Sequence, residues 1–498
     1  MPRIARGLVL GIGSLSLGAC ASVAPVEIKQ AELAEVIRAD RAAMGQQAEP
    51  LAHPLTIEEA QARAIKYNLD RRVRLLDEAL AFRQTDLSRL DMLPELLAQT
   101  GYLGRNNDRI SRSRDADDPN GSLVPSRFIS QERNHLISEL TFSWSLLDFG
   151  LGSLRASQQA NRALMAREQR RRALHLLLQD VRIAFWKVAS RQRMAQDVQQ
   201  TIRLAENALD NARRIEASRI RNPAEILRYQ RQLLENMRLL EAIQQELAGA
   251  EVELAQLANL PVGQAFAVAE PASWSIDDAP LAQPVERLEE VALQHNPDGL
   301  EQAYAVRNAR LEGREMLLGL LPNLSLGLGL NNDDDRYLVN NGWQAASSQI
   351  SFNLVKLLSI GRVDRVKDAK LALAVQRRVA TNAATIAKVH LARLQLLNAK
   401  AQMLRADEIY GTDNRYADLV RKREVALFQN KLDRVSADTA ALLSLLRKYQ
   451  AMADLQTAQA RLAVTLGVEP EIPGADSVQL SELTKIMSEP PRQLPQSR

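Results

Sequence analysis

From His135 to Leu146 the chain alternates. Leu136, Leu140, Phe142, Trp144 and Leu146 fall on even-numbered positions, and Glu139, Thr141, Ser143 and Ser145 on the odd-numbered ones between them. A period of two gives a β-strand one apolar and one polar face. The same alternation predicts a strand at "LSLGLGL", with Leu324, Leu326, Leu328 and Leu330 opposite Ser325, Gly327 and Gly329. Another sets Ile350, Phe352 and Leu354 against Gln349, Ser351 and Asn353. A strand after Pro94 is placed by its position in a repeat described below. The four strands are expected at about 94–104, 135–146, 322–331 and 344–355. Each is close to the roughly 10 residues that cross a bilayer as a tilted strand.

Elsewhere the pattern is helical. Neither Gly nor Pro occurs between Gly152 and Pro223, and Val198, Ile202, Ala205, Leu209 and Ala212 keep a 4-3-4 spacing. A helix of that length reaches on the order of 100 Å. After a tip at "RIRNPAE", a return helix carries Leu233, Met237, Leu240, Leu247 and Leu254 at heptad-like intervals. Such long antiparallel pairs are coiled coils.

The pattern occurs twice. "AIKYNLD" at Ala64–Asp70 returns as "ALQHNPD" at Ala292–Asp298, and Pro94 matches Pro322, both offset by 228. Beyond the strands the offset is 208: Trp144 matches Phe352, Asn222 matches Asn430, and Leu254 matches Leu462. One net indel of 20 residues between Pro94 and Trp144 reconciles them all, so the chain is a tandem duplication. The repeats span 55–260, with its tip near 218–225, and 285–468, with its tip near 427–433. A Pro-bearing linker covers 261–284, and an irregular tail covers 469–498.

Of 498 residues, 46% are apolar but only 4% aromatic, which favours long Ala/Leu helices over a large globular core. The net charge is +4 with both signs interleaved and no basic block, so nucleic acid is not an expected partner. The start, "MPRIARGLVLGIGSLSLGAC", joins Arg3 and Arg6 to a short apolar run and ends at Cys20, the only cysteine. It resembles a bacterial lipoprotein signal over 1–19, with Cys20 as the lipidated first residue of an N-terminal segment at 20–54. Ala21 after that cysteine implies the outer membrane by the same resemblance.

Apolar strand faces need a cover, and no helix of ordinary length is available to provide it. Trp144, Phe149, Trp343 and Tyr337 fall near strand ends or loops, where an aromatic girdle is expected. Leu140, Phe142, Trp144, Leu326, Leu328 and Phe352 are therefore read as lipid-facing. Four strands cannot close a barrel, and open edges are not tolerated in lipid. Two chains would give eight strands and a filled interior, whereas three give twelve and a lumen.

Across 55–470 the chain resembles the outer-membrane efflux proteins of the TolC family, in their lipidated form. "LTIEEAQARAIKYNLD", "FSWSLLDFG" and the paired helix ends "LANLP" and "LGVEP" carry the resemblance. It implies a mainly α protein with a transmembrane β-barrel portion. Three protomers would give four strands each to a twelve-stranded barrel above a long periplasmic coiled-coil tunnel. The implied function is the exit duct of a tripartite system, with a periplasmic adaptor and an inner-membrane transporter docked at the tunnel's tip. A type I protein secretion duct shares that architecture; a lipid-anchored coiled-coil scaffold without a pore is a more distant alternative. The family commonly has a Gly shortly before each tip acid, but "EASRIRNPAEIL" and "EVALFQNKLDRV" have none.

Glu225 and Asp433 match at offset 208 and fall where the family places constriction-lining acids; Arg434 adjoins the second. Both acids equally suit a helix N-terminus as solvated first-turn carboxylates. His53, His135, His175, His295 and His390 are scattered without metal spacing, so neither an enzyme, a metal nor a cofactor is expected.

Overall fold

A computed structural model describes residues 27–45, 49–112, 126–218, 223–269, 279–425, 431–468, 472, 474 and 477–488. Cys20, Arg219 and Arg221 lie outside the described residues. The chain forms two compact units, Met1–Pro50 and Leu51–Arg498. The first contributes helix α1 (Gln30–Gly45).

The second unit opens with α2 (Ile57–Tyr67) and α3 (Leu69–Leu90). Thr56 Oγ1 caps α2 by accepting the Glu59 N–H at 3.1 Å. Asn68, at φ −62° and ψ 126°, ends α2 and caps α3, accepting the Arg71 N–H at 3.0 Å. Strand β1 (Glu95–Gly104) follows, then the small ribbon β2 (Ile110–Ser111) and β3 (Phe128–Ile129), and then β4 (Asn134–Ser145). Helix α4 (Leu146–Ser218) has 73 residues, ~110 Å at 1.5 Å per residue. The chain returns along α5 (Pro223–Ala248) and α6 (Ala250–Leu257), and a short α7 (Ala279–Ala282) stands before the second half.

That half repeats the order: α8 (Val285–His295), α9 (Pro297–Leu318), β5 (Asn323–Asp333), β6 (Gly342–Ser351), the single turn α10 (Leu354–Leu357), α11 (Ile360–Val425) and α12 (Lys431–Leu466). A last helix, α13 (Leu480–Ser488), seats Leu480 and Leu483 against Ile65, Leu174 and Leu178.

The duplication extends to the packed interior. One core joins Ala60 and Ala64 of α2 to Val181, Ala184 and Val188 of α4 and to Leu254 and Ala258. The other joins Leu288, Ala292, Val389, Ala392, Leu396, Leu462 and Leu466, the same positions one repeat later. Both return helices also end alike. Asn259 (φ 50°) and Gly467 (φ 70°) take up the left-handed conformation that stops a helix. At Gly467 a Cβ would stand 2.3 Å from the His295 carbonyl oxygen, so only glycine fits there.

Between helices, ion pairs hold the layers together. Asp298 accepts from Arg172 at 3.0 Å and from Lys388 at 3.1 Å, tying α4, α9 and α11. Burial raises the Asp298 carboxyl, but those two cations outweigh it and hold it below the ordinary carboxylate range. Among the described residues, no helix is long and apolar enough to cross a membrane.

Candidate functional site

The four long strands form one antiparallel sheet in the order β1-β4-β5-β6. Residues paired across strands share a face. Leu96, Phe142, Leu328 and Ala346 make one row; Ala98, Leu140, Leu330 and Gln344 make the next; Trp144, Leu326 and Ser348 make a third. Leu140, Phe142, Leu326 and Leu328 are exposed on this face. The opposite face carries Glu95, Ser143, Gly327 and Ser347, then Leu97, Thr141, Gly329 and Ala345, then Gln99, Glu139, Asn331 and Trp343. One sheet thus presents an apolar and a largely polar surface, both solvent-accessible, with β1 and β6 as its edges.

Two details differ from the expectation. Phe352 is not a strand residue: β6 stops at Ser351, because Asn353 Oδ1 accepts the Val355 N–H at 3.1 Å and starts α10. Its counterpart Ser145 ends β4 in the same way, accepting the Asp148 N–H at 3.0 Å. Trp343, expected in a girdle, stands on the polar face opposite Asn331. Trp144 does meet Phe149 edge to face at the helical end, with ring centroids 6.1 Å apart.

At the end of the sheet away from the helices, the two repeats are fastened together by a group that periodicity gives no sign of. Buried His135 places Nδ1 2.6 Å from Asp333 Oδ1. Asp334 accepts the Leu136 N–H at 2.5 Å, Asp335 accepts the Glu132 N–H at 3.1 Å, and Arg336 pairs with Glu132 at 2.6 Å. The run Asp333-Asp334-Asp335 thus uses its carboxylates on hydrogen bonds across the repeats. Among the described residues no group of His, Cys, Asp or Glu could hold a metal ion.

At the far ends of the coils, Glu225 is exposed in the first turn of α5, and Asp433 is half-buried in the first turn of α12. Tyr229 and Leu233 of α5 share one apolar cluster with Val435 of α12, which brings the starts of the two helices together, and burial and then the Asp433 carboxylate push the Tyr229 phenol up. Arg434 reaches Glu424 at 2.8 Å and Asp438 at 3.5 Å, and Arg421 reaches Asp438 at 2.9 Å. The Arg434–Glu424 and Arg421–Asp438 pairs lock α11 to α12 within one chain.

Sideways, α3 lies on α4, α4 on α9, and α9 on α11. The helix at one end of that series, α3, exposes Leu69, Val73, Leu76, Leu80, Leu87 and Leu90, each more than 40% accessible and at heptad-like spacing. At the other end, α11 exposes Val366 and Leu373.

No protein-family model matches the chain, and no curated protein does. Solved structures do. The Campylobacter jejuni CmeC outer membrane channel covers 89% of this chain and 94% of its own, with TM-score 0.62 and 11% identity. The open state of the Neisseria gonorrhoeae MtrE outer membrane channel covers 82% and 88%, with TM-score 0.62 and 16% identity. The Vibrio cholerae outer membrane protein VceC covers 82% and 96%, with TM-score 0.60 and 12% identity. The chain has the fold of these outer membrane proteins: mainly helical, with one four-stranded antiparallel sheet.

Proposed function

We propose that three copies of this chain close one twelve-stranded barrel in the outer membrane of a Gram-negative bacterium and form the exit duct of a tripartite efflux system. The observation that carries the reading is the four-stranded sheet, apolar on one face and largely polar on the other, whose edges β1 and β6 have no further strand beside them among the described residues. A lone sheet of that kind cannot stand in lipid, since unpaired edges are too costly there. Three copies pair every edge and leave a water-filled lumen, whereas two close on a filled interior. The exposed seam of α3 supports the same closure, because each α3 meets the α11 of the next copy just as each β1 meets the next β6. In that arrangement Leu140, Phe142, Trp144, Leu326 and Leu328 face lipid, and Glu139, Thr141 and Ser143 face water.

The coils extend into the periplasm, where an adaptor and an inner-membrane transporter dock at their tips. Three Glu225 and three Asp433 carboxylates line the narrowing mouth there, and acylated Cys20 anchors the N-terminal segment. Native mass spectrometry of detergent-extracted protein tests the assembly and the anchor together. Three copies, each with a diacylglyceryl-modified Cys20, are expected. A monomer or dimer defeats the closure, and an unmodified N-terminus elsewhere defeats the anchor.

A further inference from the structure

The duplication lets a joint inside one chain stand for a joint between two. Where α3 packs on α4, Gln84 accepts from Gln159 at 2.8 Å. Where α9 packs on α11, Glu312 accepts from Lys370 at 3.1 Å. Gln84 and Glu312 are 228 apart, and Gln159 and Lys370 are 211 apart. The second value exceeds the 208 of the two cores by three, close to one turn, so the same helix face is kept. Near the sheet, therefore, α3 maps onto α9 and α4 onto α11, and Gly150 lands on another glycine, Gly361.

Inside the chain α4 also packs on α9. Gly150 admits Leu318 so closely that a Cβ would stand 3.0 Å from Leu318 Cδ2, and Arg155 donates to Glu315 at 2.8 Å. Arg162 and Asn308 lie one heptad further from the sheet on the same faces. The mapping carries this joint to the two ends of the helix series. Leu318, Glu315 and Asn308 become Leu90, Leu87 and Leu80 of α3, and Arg155 and Arg162 become Val366 and Leu373 of α11. All five of these are exposed. A Cβ at Gly361 would meet nothing within 4 Å, so the slot that Leu318 fills at Gly150 is open there. Each charged or amide side chain of the inner joint has an apolar counterpart.

We propose that two copies of this chain join in the register of that inner joint. Leu87 seats on Val366 of the next copy and Leu80 on its Leu373, while Leu90 enters the open slot at its Gly361. The inference rests on the trimeric reading above and adds which residues meet. The exchange of charge for leucine has a physical reason. One chain already holds α4 and α9 together, so surface ion pairs, which contribute little, suffice there. A joint between chains must offset the lost freedom of two molecules, and burying apolar surface supplies that free energy. The stripe on α3 fits α11 but lies at the opposite end of its own helix series, so its occupant is a second copy.

The test is disulfide trapping in membranes holding the full chain, whose only cysteine, Cys20, makes the parent the blank. Oxidised Leu87→Cys/Val366→Cys should run as covalent dimers and trimers in a denaturing gel. Val73→Cys/Val366→Cys, two heptads out of register and ~21 Å away along the helix, should stay single. In native mass spectra Leu87→Glu alone should lower the trimer fraction about tenfold, because it buries an unpaired carboxylate in the seam. Adding Val366→Arg should restore most of it, since the two recreate the Arg155–Glu315 pair across copies. Trimers in native spectra without a Leu87–Val366 cross-link, or with an equal cross-link from Val73, overturn this register and leave the duct standing. A double charge variant that assembles no better than Leu87→Glu also overturns it. Parent protein that is a single copy throughout overturns the trimer and the register together.

Discussion

Asn296 Nδ2 donates a hydrogen bond to the Thr465 carbonyl oxygen, 2.9 Å away at the end of α12. One repeat earlier, Asn68 makes the same bond to Leu257 at 3.2 Å. Each asparagine stops one helix, caps the next and ties down the end of the return helix. Asn296→Ala should cost about 1–3 kcal/mol, since it removes a cap and leaves a buried carbonyl without its donor. Asn296→Ser, which restores a cap acceptor but cannot reach Thr465, should recover only part. Thermal melts followed by helical circular dichroism would show it; unchanged melting in the alanine variant would mean the bond is not formed.

The two faces of the sheet should respond oppositely to charge. Phe142→Arg and Leu328→Arg, paired across β4 and β5, should each cost roughly 2–4 kcal/mol if they sit near the bilayer midplane. Ser143→Arg, one residue along on the other face, should assemble nearly as well as the parent. Yield of folded oligomer from membranes decides this, and equal yields from both faces would reverse the assignment of lipid and water.

A pH effect is expected from the helical region. His175 is only 2% exposed on α4. Burial and then the nearby Arg171 push its imidazole down to about 4. The unfolded chain therefore takes up a proton near pH 6.5 that the folded protein refuses until about pH 4. The contribution of the neutral ring is complete above pH 6.5 and is lost as pH falls toward 4, by roughly 3 kcal/mol per chain. His175→Leu should flatten the fall in melting temperature across that window. A variant whose melting point drops as steeply as the parent's would place the acid sensitivity elsewhere.

At the coil tips, the Glu225→Ala/Asp433→Ala double variant should lose block by a trivalent cation such as lanthanum, because in the proposed trimer these residues bring six carboxylates to one mouth, and clustered carboxylates attract multivalent ions. Arg434→Ala should act differently, since this arginine joins Glu424 and Asp438 of its own hairpin. It should loosen α11 from α12 and raise conductance. Retained lanthanum block in the double acidic variant would reduce both acids to solvated helix ends.

Much of this was legible in sequence because the chain repeats itself. The offsets of 228 and 208 align the helix starts Ile57 with Val285 and Pro223 with Lys431, as well as the two cores. Alternation assigned the faces of β4 and β5, where both parities are chemically distinct. It misjudged the two ends of β6. At one end, Asn353 competes as a helix cap and releases Phe352 from the strand. At the other, Trp343 has no polar–apolar contrast around it, and only its pairing with Asn331 places it on the polar face. The His135–Asp333 clasp depends on register between strands from different repeats, which no local pattern encodes.

Single-channel recording tests most directly whether three chains make one water-filled passage. Purified protein inserted in a planar bilayer should give discrete, repeatable conductance steps, and Ser143→Arg, which brings a cation into the lumen, should lower their cation selectivity. Stably inserted trimers that carry no current, or channels whose selectivity ignores Ser143→Arg, would contradict it.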